Sequence, residues 1–158
     1  FLDFYNPNKN KEIFCVSESI SKALKILESK LTLNNIKLNL ELDDGLKTSG
    51  VKMELAQVII NIIDNSIDVF VEREIVDRVV SVKLFEKDSK IVLFLEDNAG
   101  GIENKNLEKI LDPYYTTKDH GTGIGLYMVK LIIKNNFQGE LKIMNNKGLK
   151  FIILLNSL

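Results

Sequence analysis

The sequence predicts an α+β fold, a two-layer α/β sandwich in which about three helices cover one face of a mixed sheet of about five strands. The 158 residues, 45% of them apolar and 27% charged, suit one globular domain with an ordinary core. Strand patterns begin near residues 36, 78, 90, 140 and 149, and helical patterns separate some of them while hairpin turns join others. That mixture argues against a doubly wound parallel sheet.

The first half of the chain shows two helical patterns and one strand pattern. Apolar residues spaced by three and four predict an amphipathic first helix with Ser17 or Ser19 as its N-cap. Residues 36–42, "IKLNLEL", alternate strictly, which predicts a half-buried strand that ends at the "DDG" turn. A long helix is predicted from about Met53 to Glu72. The stripe of the first helix comprises Ile20, Ala23, Leu24, Leu27 and Leu31.

The second half reads as two hairpins with irregular segments between them. "RVVSVKLFE" and "KIVLFLE" flank a "KDSK" turn, and the second of these strands is almost wholly apolar, so we expect it at the centre of the sheet. A short helix near Asn104 to Leu111 precedes "DPYYTTKDHGTGIG", in which Pro and Gly disfavour regular structure. "LYMVKLIIKNN" resumes the helical period, and a hairpin around "NNKG" closes the chain.

The overall charge excludes some partners. A formal net charge of -1 gives no general attraction to nucleic acid or to an anionic membrane, so any phosphate binding must be local. No run of 18 apolar residues is present, and we expect no membrane contact by this segment. The single cysteine cannot form an internal disulfide, which fits a reducing compartment.

The long helix carries a polar arc that is unusual in its chemistry. Asn61 and Asn65 share this arc with carboxylates, and no Lys or Arg occurs from Gln57 to Val71. A solvated helix face explains such a stripe on its own. A row of amide and carboxylate oxygens without cations is also what Mg²⁺ takes as ligands beside substrate phosphates. The arc comprises Gln57, Asn61, Asn65, Asp68 and Glu72, and the opposite apolar arc comprises Leu55, Ile59, Ile62, Ile63, Ser66, Ile67 and Phe70.

Two glycine clusters add possible ligand contacts. Asp97 ends the apolar strand and is followed by Gly100 and Gly101, which would let a ligand approach the backbone closely; an Asp-Asn turn is the simpler alternative. "GTGIGL", residues 121–126, opens a helix, where free N–H groups favour an anion. It is neither the dinucleotide fingerprint nor a P-loop, and a flexible glycine loop is equally compatible with it. Lys118, just before it, could meet a terminal phosphate.

Taken in order, the asparagine helix, "DNAGGI", "DPYYTTK" and "GTGIGL" resemble the N, G1, F and G2 boxes of the ATP-binding catalytic domain of sensor histidine kinases. That family shares its ATP fold with DNA gyrase, mismatch-repair and heat-shock chaperone ATPases. The resemblance covers roughly residues 34–156. It implies that residues 1–15 are the tail of a preceding dimerisation helix and a linker, and that residues 16–158 are the catalytic domain.

The resemblance implies a role for each box. Asn65 would be the Mg²⁺ ligand, with Asn61 and Asp68 on the same nucleotide wall. Asp97 would accept a hydrogen bond from the adenine 6-amino group. The remaining binding residues would be Gly101 and Ile102 beside the base, and Lys118, Gly121, Thr122, Gly123, Ile124, Gly125 and Leu126 over the phosphates.

The chain departs from the family pattern at three places. Ala99 replaces the first glycine of the G1 box, which is tolerable if its φ is negative. Tyr114 and Tyr115 stand in place of the usual phenylalanines of the F box. The segment between Lys118 and Gly121 is short, so the lid over the phosphates should be small.

The resemblance implies ATP and Mg²⁺ as cofactors and transfer of the ATP γ-phosphate to a histidine on a separate dimerisation domain. Asn61 and Lys118 would be the catalytic residues. Asn61 stands where hydrolytic relatives carry a glutamate, so fast ATP hydrolysis is not expected. The only histidine, His120, lies among the lid glycines and is a poor phosphoacceptor. A response regulator would be the downstream partner and the location cytoplasmic. The alternatives are a gyrase-like or chaperone-like ATPase, a serine kinase of this fold, or a nucleotide sensor.

Overall fold

A computed structural model describes residues 11–116 and 123–158 of the chain. These residues form a five-stranded mixed sheet, a layer of helices packed on one face of it, and a separate two-stranded sheet. The elements in chain order are β1 (Glu12–Cys15), α1 (Val16–Ile26), α2 (Glu28–Leu33), β2 (Ile36–Leu42), β3 (Lys47–Gly50), α3 (Lys52–Glu72), β4 (Arg78–Lys87), β5 (Lys90–Asp97), α4 (Gly125–Leu131), β6 (Glu140–Asn145) and β7 (Leu149–Asn156). The predicted two-layer sandwich is confirmed.

The five-stranded sheet has the order β2-β4-β5-β7-β6. Strand β2 runs parallel to β4, and the other pairs are antiparallel. The apolar strand β5 is central, as predicted, and it ends at Asp97. Along β4 the side chains of Val80, Val82 and Leu84 are buried while their neighbours are not, so one face of the sheet meets the helices.

Helix α3 packs its apolar arc into the core and leaves its polar arc partly exposed. All seven residues of the predicted apolar arc are buried, because this face packs into the core between the sheet and α1. On the polar arc, Gln57, Asn61, Asn65 and Asp68 are only partly exposed, and Glu72 alone is fully exposed. Most of the arc is therefore partly covered by the rest of the domain and is not an open solvated face.

The first helix differs from its prediction in two ways. Neither serine caps it: α1 begins at Val16 after Cys15, and no side chain provides the cap. Ser19 is instead buried inside the helix, where its hydroxyl donates to the carbonyl oxygen of Lys52 at 2.9 Å, because a hydroxyl buried away from water needs a hydrogen-bond partner. The apolar stripe also spans two helices, since α1 ends before Leu27 and α2 continues it.

Strands β1 and β3 form a small antiparallel sheet that the sequence analysis did not predict. Phe14 of β1 is buried against Phe137, with ring centroids 6.3 Å apart in an edge-to-face arrangement. The predicted linker ended at residue 15, yet residues 12–15 pair with the domain. Residues 1–10 lie outside the described part of the chain, so the origin of that segment stays a prediction.

The predicted helices in the second half are also less regular than expected. In place of one short helix from Asn104 to Leu111 there are two 3-10 turns, Asn104–Asn106 and Lys109–Leu111. A helix this short is marginal, and Asp112 must be extended before Pro113, with ψ at 145°. Helix α4 continues into a π-helical turn, Ile132–Asn136. Both predicted hairpins are present.

Candidate nucleotide-binding site

Asn61 joins the asparagine helix to the start of the glycine-opened helix. Its Nδ2 donates to the carbonyl oxygen of Gly125 at 3.0 Å, and its Oδ1 accepts from Gln57 Nε2 at 2.7 Å. Asn61 and Gly125 are 64 residues apart in sequence, so this contact shows that the asparagine helix and the start of the glycine-opened helix meet in space. Both polar atoms of the Asn61 amide are engaged, so its orientation is fixed.

Asn65 lies one turn further along α3 and is half-buried. Its side chain forms no hydrogen bond with any residue that the structure describes, so its amide oxygen is open to a ligand. Within residues 11–116 and 123–158, no cluster of three His, Cys, Asp or Glu side chains could hold a metal ion by itself. A cation bound at Asn65 would therefore take most of its oxygen ligands from phosphates and water, which is how Mg²⁺ is commonly held in nucleotide sites.

A lysine from another helix reaches Asp68 of the polar arc and the nearby Asp64. Lys30 of α2 forms an ion pair and hydrogen bond with Asp64, and its Nζ lies 3.6 Å from Asp68 Oδ1. Burial acts to lower the pKa of Lys30, but the bond to Asp64 and the charge of Asp68 outweigh it and raise that pKa above its usual range. Residues 57–71 of α3 contain no Lys or Arg, but α2 supplies a cation to them. Asp68 thus faces Lys30, and its contact with a nucleotide stays a prediction.

Asp97 is a buried carboxylate at the end of the central strand, only 6% exposed. Its Oδ1 accepts from the backbone N–H groups of Ala99 at 3.0 Å and Leu149 at 3.1 Å. Its Oδ2 accepts from the hydroxyl of Ser66 at 2.7 Å. Three donors therefore hold a carboxylate that has no cationic partner among these bonds, and one of them comes from α3.

The loop after Asp97 is shaped by two glycines with positive φ, Gly100 at 97° and Gly101 at 71°. Ala99 is not among the residues with positive φ, so its replacement of a glycine is tolerated as predicted. Arg73, which follows α3, donates from Nη1 to the carbonyl oxygens of Ala99 at 2.8 Å and Gly101 at 2.7 Å. The backbone of the loop is thus fixed from the α3 side.

The hairpin between β6 and β7 fixes the same loop from the other side. Asn145 accepts from the N–H of Ile102 at 3.0 Å and donates to its carbonyl oxygen at 2.6 Å, so one amide pairs with both backbone groups. Gly148 lies directly against Asp97, where an added Cβ would overlap the Asp97 backbone. A Cβ added at Gly101 would lie 2.4 Å from Asn145 Oδ1, which is also too close. These close approaches require glycine and bring the hairpin to the site.

The segments that precede and follow the predicted lid are joined by a backbone hydrogen bond between Tyr114 and Gly123. The N–H of Tyr114 donates to the carbonyl oxygen of Gly123 at 3.1 Å, and Gly123 has a φ of 71°. Tyr114 is 77% exposed, while Tyr115 packs against the core. Ile124 and Leu126 are half-buried, and Gly125 is exposed beside Asn61. Lys118, Gly121 and Thr122 lie outside the described residues, so their predicted phosphate contacts stay predictions.

The sequence analysis missed four residues that shape this site: Ser66, Arg73, Asn145 and Gly148. One signal was present, because Ser66 is the only polar residue on the apolar arc of α3. A hydroxyl at a buried position needs a partner, and that partner is Asp97. Asn145 and Gly148 belong to the "NNKG" stretch, which predicted a hairpin turn but no contact with the loop after Asp97, and nothing in its sequence neighbourhood sets Arg73 apart.

Comparisons with known proteins agree with this geometry. The profile of the histidine kinase-, DNA gyrase B- and HSP90-like ATPase family matches residues 50–157. Sporulation kinase C of Bacillus subtilis strain 168 is 32% identical over 135 residues, which are 84% of this chain and 30% of that protein. The nucleotide-free catalytic domain of histidine kinase ThkA superposes with a TM-score of 0.81 at 24% identity, covering 94% of this chain and 96% of that one.

A solved complex of ThkA with its response regulator TrrA has the same fold, with a TM-score of 0.78 at 21% identity over 99% of this chain and 46% of that one. The chain spans only 30%, 18% and 24% of the lengths of sporulation kinases C, E and A. No helix among the described residues is long and apolar enough to cross a membrane. The chain belongs to the histidine kinase-, DNA gyrase B- and HSP90-like ATPase family, and it has the fold of a histidine kinase ATP-binding domain.

Proposed function

We propose that this domain binds ATP with Mg²⁺ and transfers the γ-phosphate to a histidine on a separate dimerisation domain of the parent kinase. The observation that carries the proposal is the bond between Asn61 and Gly125, which brings the asparagine helix against the glycine-opened helix at 3.0 Å. Asp97 lies at the end of the central strand and accepts a hydrogen bond from Ser66 of the same helix α3. Base, metal and phosphate contacts would then share one cleft.

The residues at the base end suit adenine. Asp97 would accept a hydrogen bond from the 6-amino group, and a guanine would place its keto oxygen against the same carboxylate, which disfavours it. Gly101 and Ile102 would flank the base, because Arg73 and Asn145 hold their backbone in place. This end of the site selects the nucleotide and supplies no chemistry.

The residues at the phosphate end suit a triphosphate with a divalent cation. Asn65 would hold Mg²⁺, which supplies charge neutralisation on the phosphates when bound. Lys118 and the backbone N–H groups of residues 121–126 would contact the phosphate oxygens, and Asp68 would face the same wall. Asn61 and Gln57 would orient these groups through their fixed amides. Catalysis would come from alignment rather than from an acid–base residue.

The identity of residue 61 favours a kinase over an ATPase. A water nucleophile needs a base to accept its proton, and an amide whose two polar atoms are already bonded cannot serve. ATP bound here would therefore await an external nucleophile. A gyrase-like or chaperone-like ATPase is the second candidate, supported by membership of the shared family, and it requires appreciable turnover by the isolated chain.

The partners follow from the same proposal. The phosphoacceptor would lie on the dimerisation domain of the parent, and the phosphate would pass to a response regulator. The complex of ThkA with TrrA supports such a partner. We propose a cytoplasmic location for this domain, with no nucleic acid and no membrane contact.

The test combines two measurements on the purified chain. The first mixes it with a histidine-bearing dimerisation domain and γ-labelled ATP and measures acid-labile, base-stable phosphate on the partner. The second measures steady-state phosphate release by the chain alone. We expect phosphohistidine to appear and release to stay near background. Rapid release without phosphohistidine would favour the ATPase, and acid-stable phosphate on the partner would favour a serine kinase.

A further inference from the structure

We propose that Ser66 is a positioning residue for adenine recognition: its hydroxyl fixes the Asp97 carboxylate so that the remaining lone pair of Oδ2 faces the base. The inference rests on the proposed binding of ATP and goes beyond it by assigning a role to a residue of α3 for which the resemblance implied none. The side chains of both residues are almost fully buried, with Ser66 4% and Asp97 6% exposed.

The hydrogen bonds of the Asp97 carboxylate define what is left for a ligand. Oδ1 already accepts from two backbone N–H groups, those of Ala99 and Leu149, which uses both of its in-plane lone pairs. Oδ2 accepts from Ser66 alone among the described residues, so one acceptor site remains on it. A 6-amino group would have to use that site, and the direction in which it points depends on Ser66.

Ser66 is itself held in place by its helix. Its Oγ lies 2.7 Å from Asp97 Oδ2 and 3.3 Å from the carbonyl oxygen of Ile62, one turn earlier in α3. The hydroxyl has a single proton, and the shorter contact to a charged acceptor is the stronger one. The carbonyl is a second acceptor for the same proton, so Ser66 can also turn away from Asp97. The hydroxyl therefore links adenine recognition to the helix that carries Asn61 and Asn65.

The experiment compares two nucleotides in one variant. We would measure the affinities of the whole chain and of Ser66→Ala for ATP and for purine riboside triphosphate, which lacks the 6-amino group. We expect Ser66→Ala to lower ATP affinity about tenfold, equal to ~1.4 kcal/mol, and to change purine riboside triphosphate affinity less than about twofold. Ser19→Ala is the matched control, because it also removes a buried helix hydroxyl with a carbonyl partner, far from Asp97 in sequence.

Three other outcomes for Ser66→Ala would overturn the inference. Equal losses for the two nucleotides, or a lower melting temperature with an unchanged affinity ratio, would show that the Ser66 bond only stabilises the fold. Tighter ATP binding by Ser66→Ala would show that the hydroxyl competes with adenine. If the parent chain bound neither nucleotide, the proposed function would fail instead, which keeps the two failures distinct.

Discussion

Replacing Asp97 by Asn is the sharpest test of the nucleotide site, because the structure shows how the variant would be accommodated. The Asn oxygen can keep the bonds from the N–H groups of Ala99 and Leu149. The new amide nitrogen would face Ser66 Oγ, which can accept from it while donating its proton to the Ile62 carbonyl oxygen 3.3 Å away. All three bonds survive in number, and only the negative charge is lost.

The expected magnitudes for Asp97→Asn follow from those bonds. A hydrogen bond to a charged group stabilises by roughly 1 kcal/mol more than a neutral one, so the three bonds together lose at most ~3 kcal/mol. For a domain of this size, a loss of that size lowers the melting temperature by at most roughly 6–12 °C. The adenine 6-amino group would meet a donor in place of an acceptor, so ATP affinity should fall by about 10- to 100-fold, while GTP affinity should hold or rise.

Titration calorimetry with Mg²⁺-ATP and Mg²⁺-GTP at neutral pH, with thermal unfolding alongside, provides the assay for Asp97→Asn. The reasoning is refuted if the folded variant binds ATP within about twofold of the parent. It is refuted as well if ATP and GTP affinities fall by the same factor, because a general loss of the site would then explain the result.

Three further variants test the metal ligand, the hairpin contact and the lysine. Asn65→Ala should weaken Mg²⁺-dependent ATP binding about tenfold and shift the melting temperature by less than ~2 °C, since the half-buried amide has no partner to lose among the described residues; unfolding with affinity intact would contradict this. Gly148→Ala should cost at least ~3 kcal/mol by thermal or urea unfolding, because its Cβ would overlap the Asp97 backbone, whereas Gly45→Ala, whose Cβ would be 3.7 Å from its nearest neighbour, should be nearly neutral. Lys30→Met should lose less than ~1 kcal/mol, because the ion pair is partly exposed. Because the pKa of Lys30 is raised in the folded state, the stability that its ion pair contributes is fully present below the ordinary pKa of 10.5 and is lost as pH rises through the raised value. The melting temperatures of the parent and of Lys30→Met should therefore converge above pH 10.5. A difference in melting temperature that stays constant above pH 10.5 would argue against the ion pair.

The sequence was sufficient for the sheet and for the core face of α3. Strict alternation in β2 and the apolar run in β5 depend on local side-chain spacing, and both strands were confirmed. The seven residues of the apolar arc are all buried because helical periodicity alone decides which side of a helix meets the core.

Contacts between distant segments were not visible in the sequence. Strand β1 is short and follows a polar stretch, so only its pairing with β3 shows that it is a strand. The serines near the start of α1 resembled caps, but the burial of Ser19 against Lys52 gave it another partner. Residues 57–71 of α3 contain no Lys or Arg, and Lys30, which lies 34 residues before Asp64, supplies a cation to their carboxylates.

The sequence by itself determined the fold class, the polar arc with its two asparagines, and the carboxylate at the end of the central strand, because each depends on spacing within one element. Only the tertiary structure decided which of these side chains form hydrogen bonds or ion pairs, and with which residues. Asp97 is fixed by Ser66 and by the β6–β7 hairpin, and Asp68 is turned toward Lys30. These hydrogen bonds and ion pairs depend on distances of a few ångströms between residues far apart in the chain, and the spacing of side chains within one element does not predict such distances.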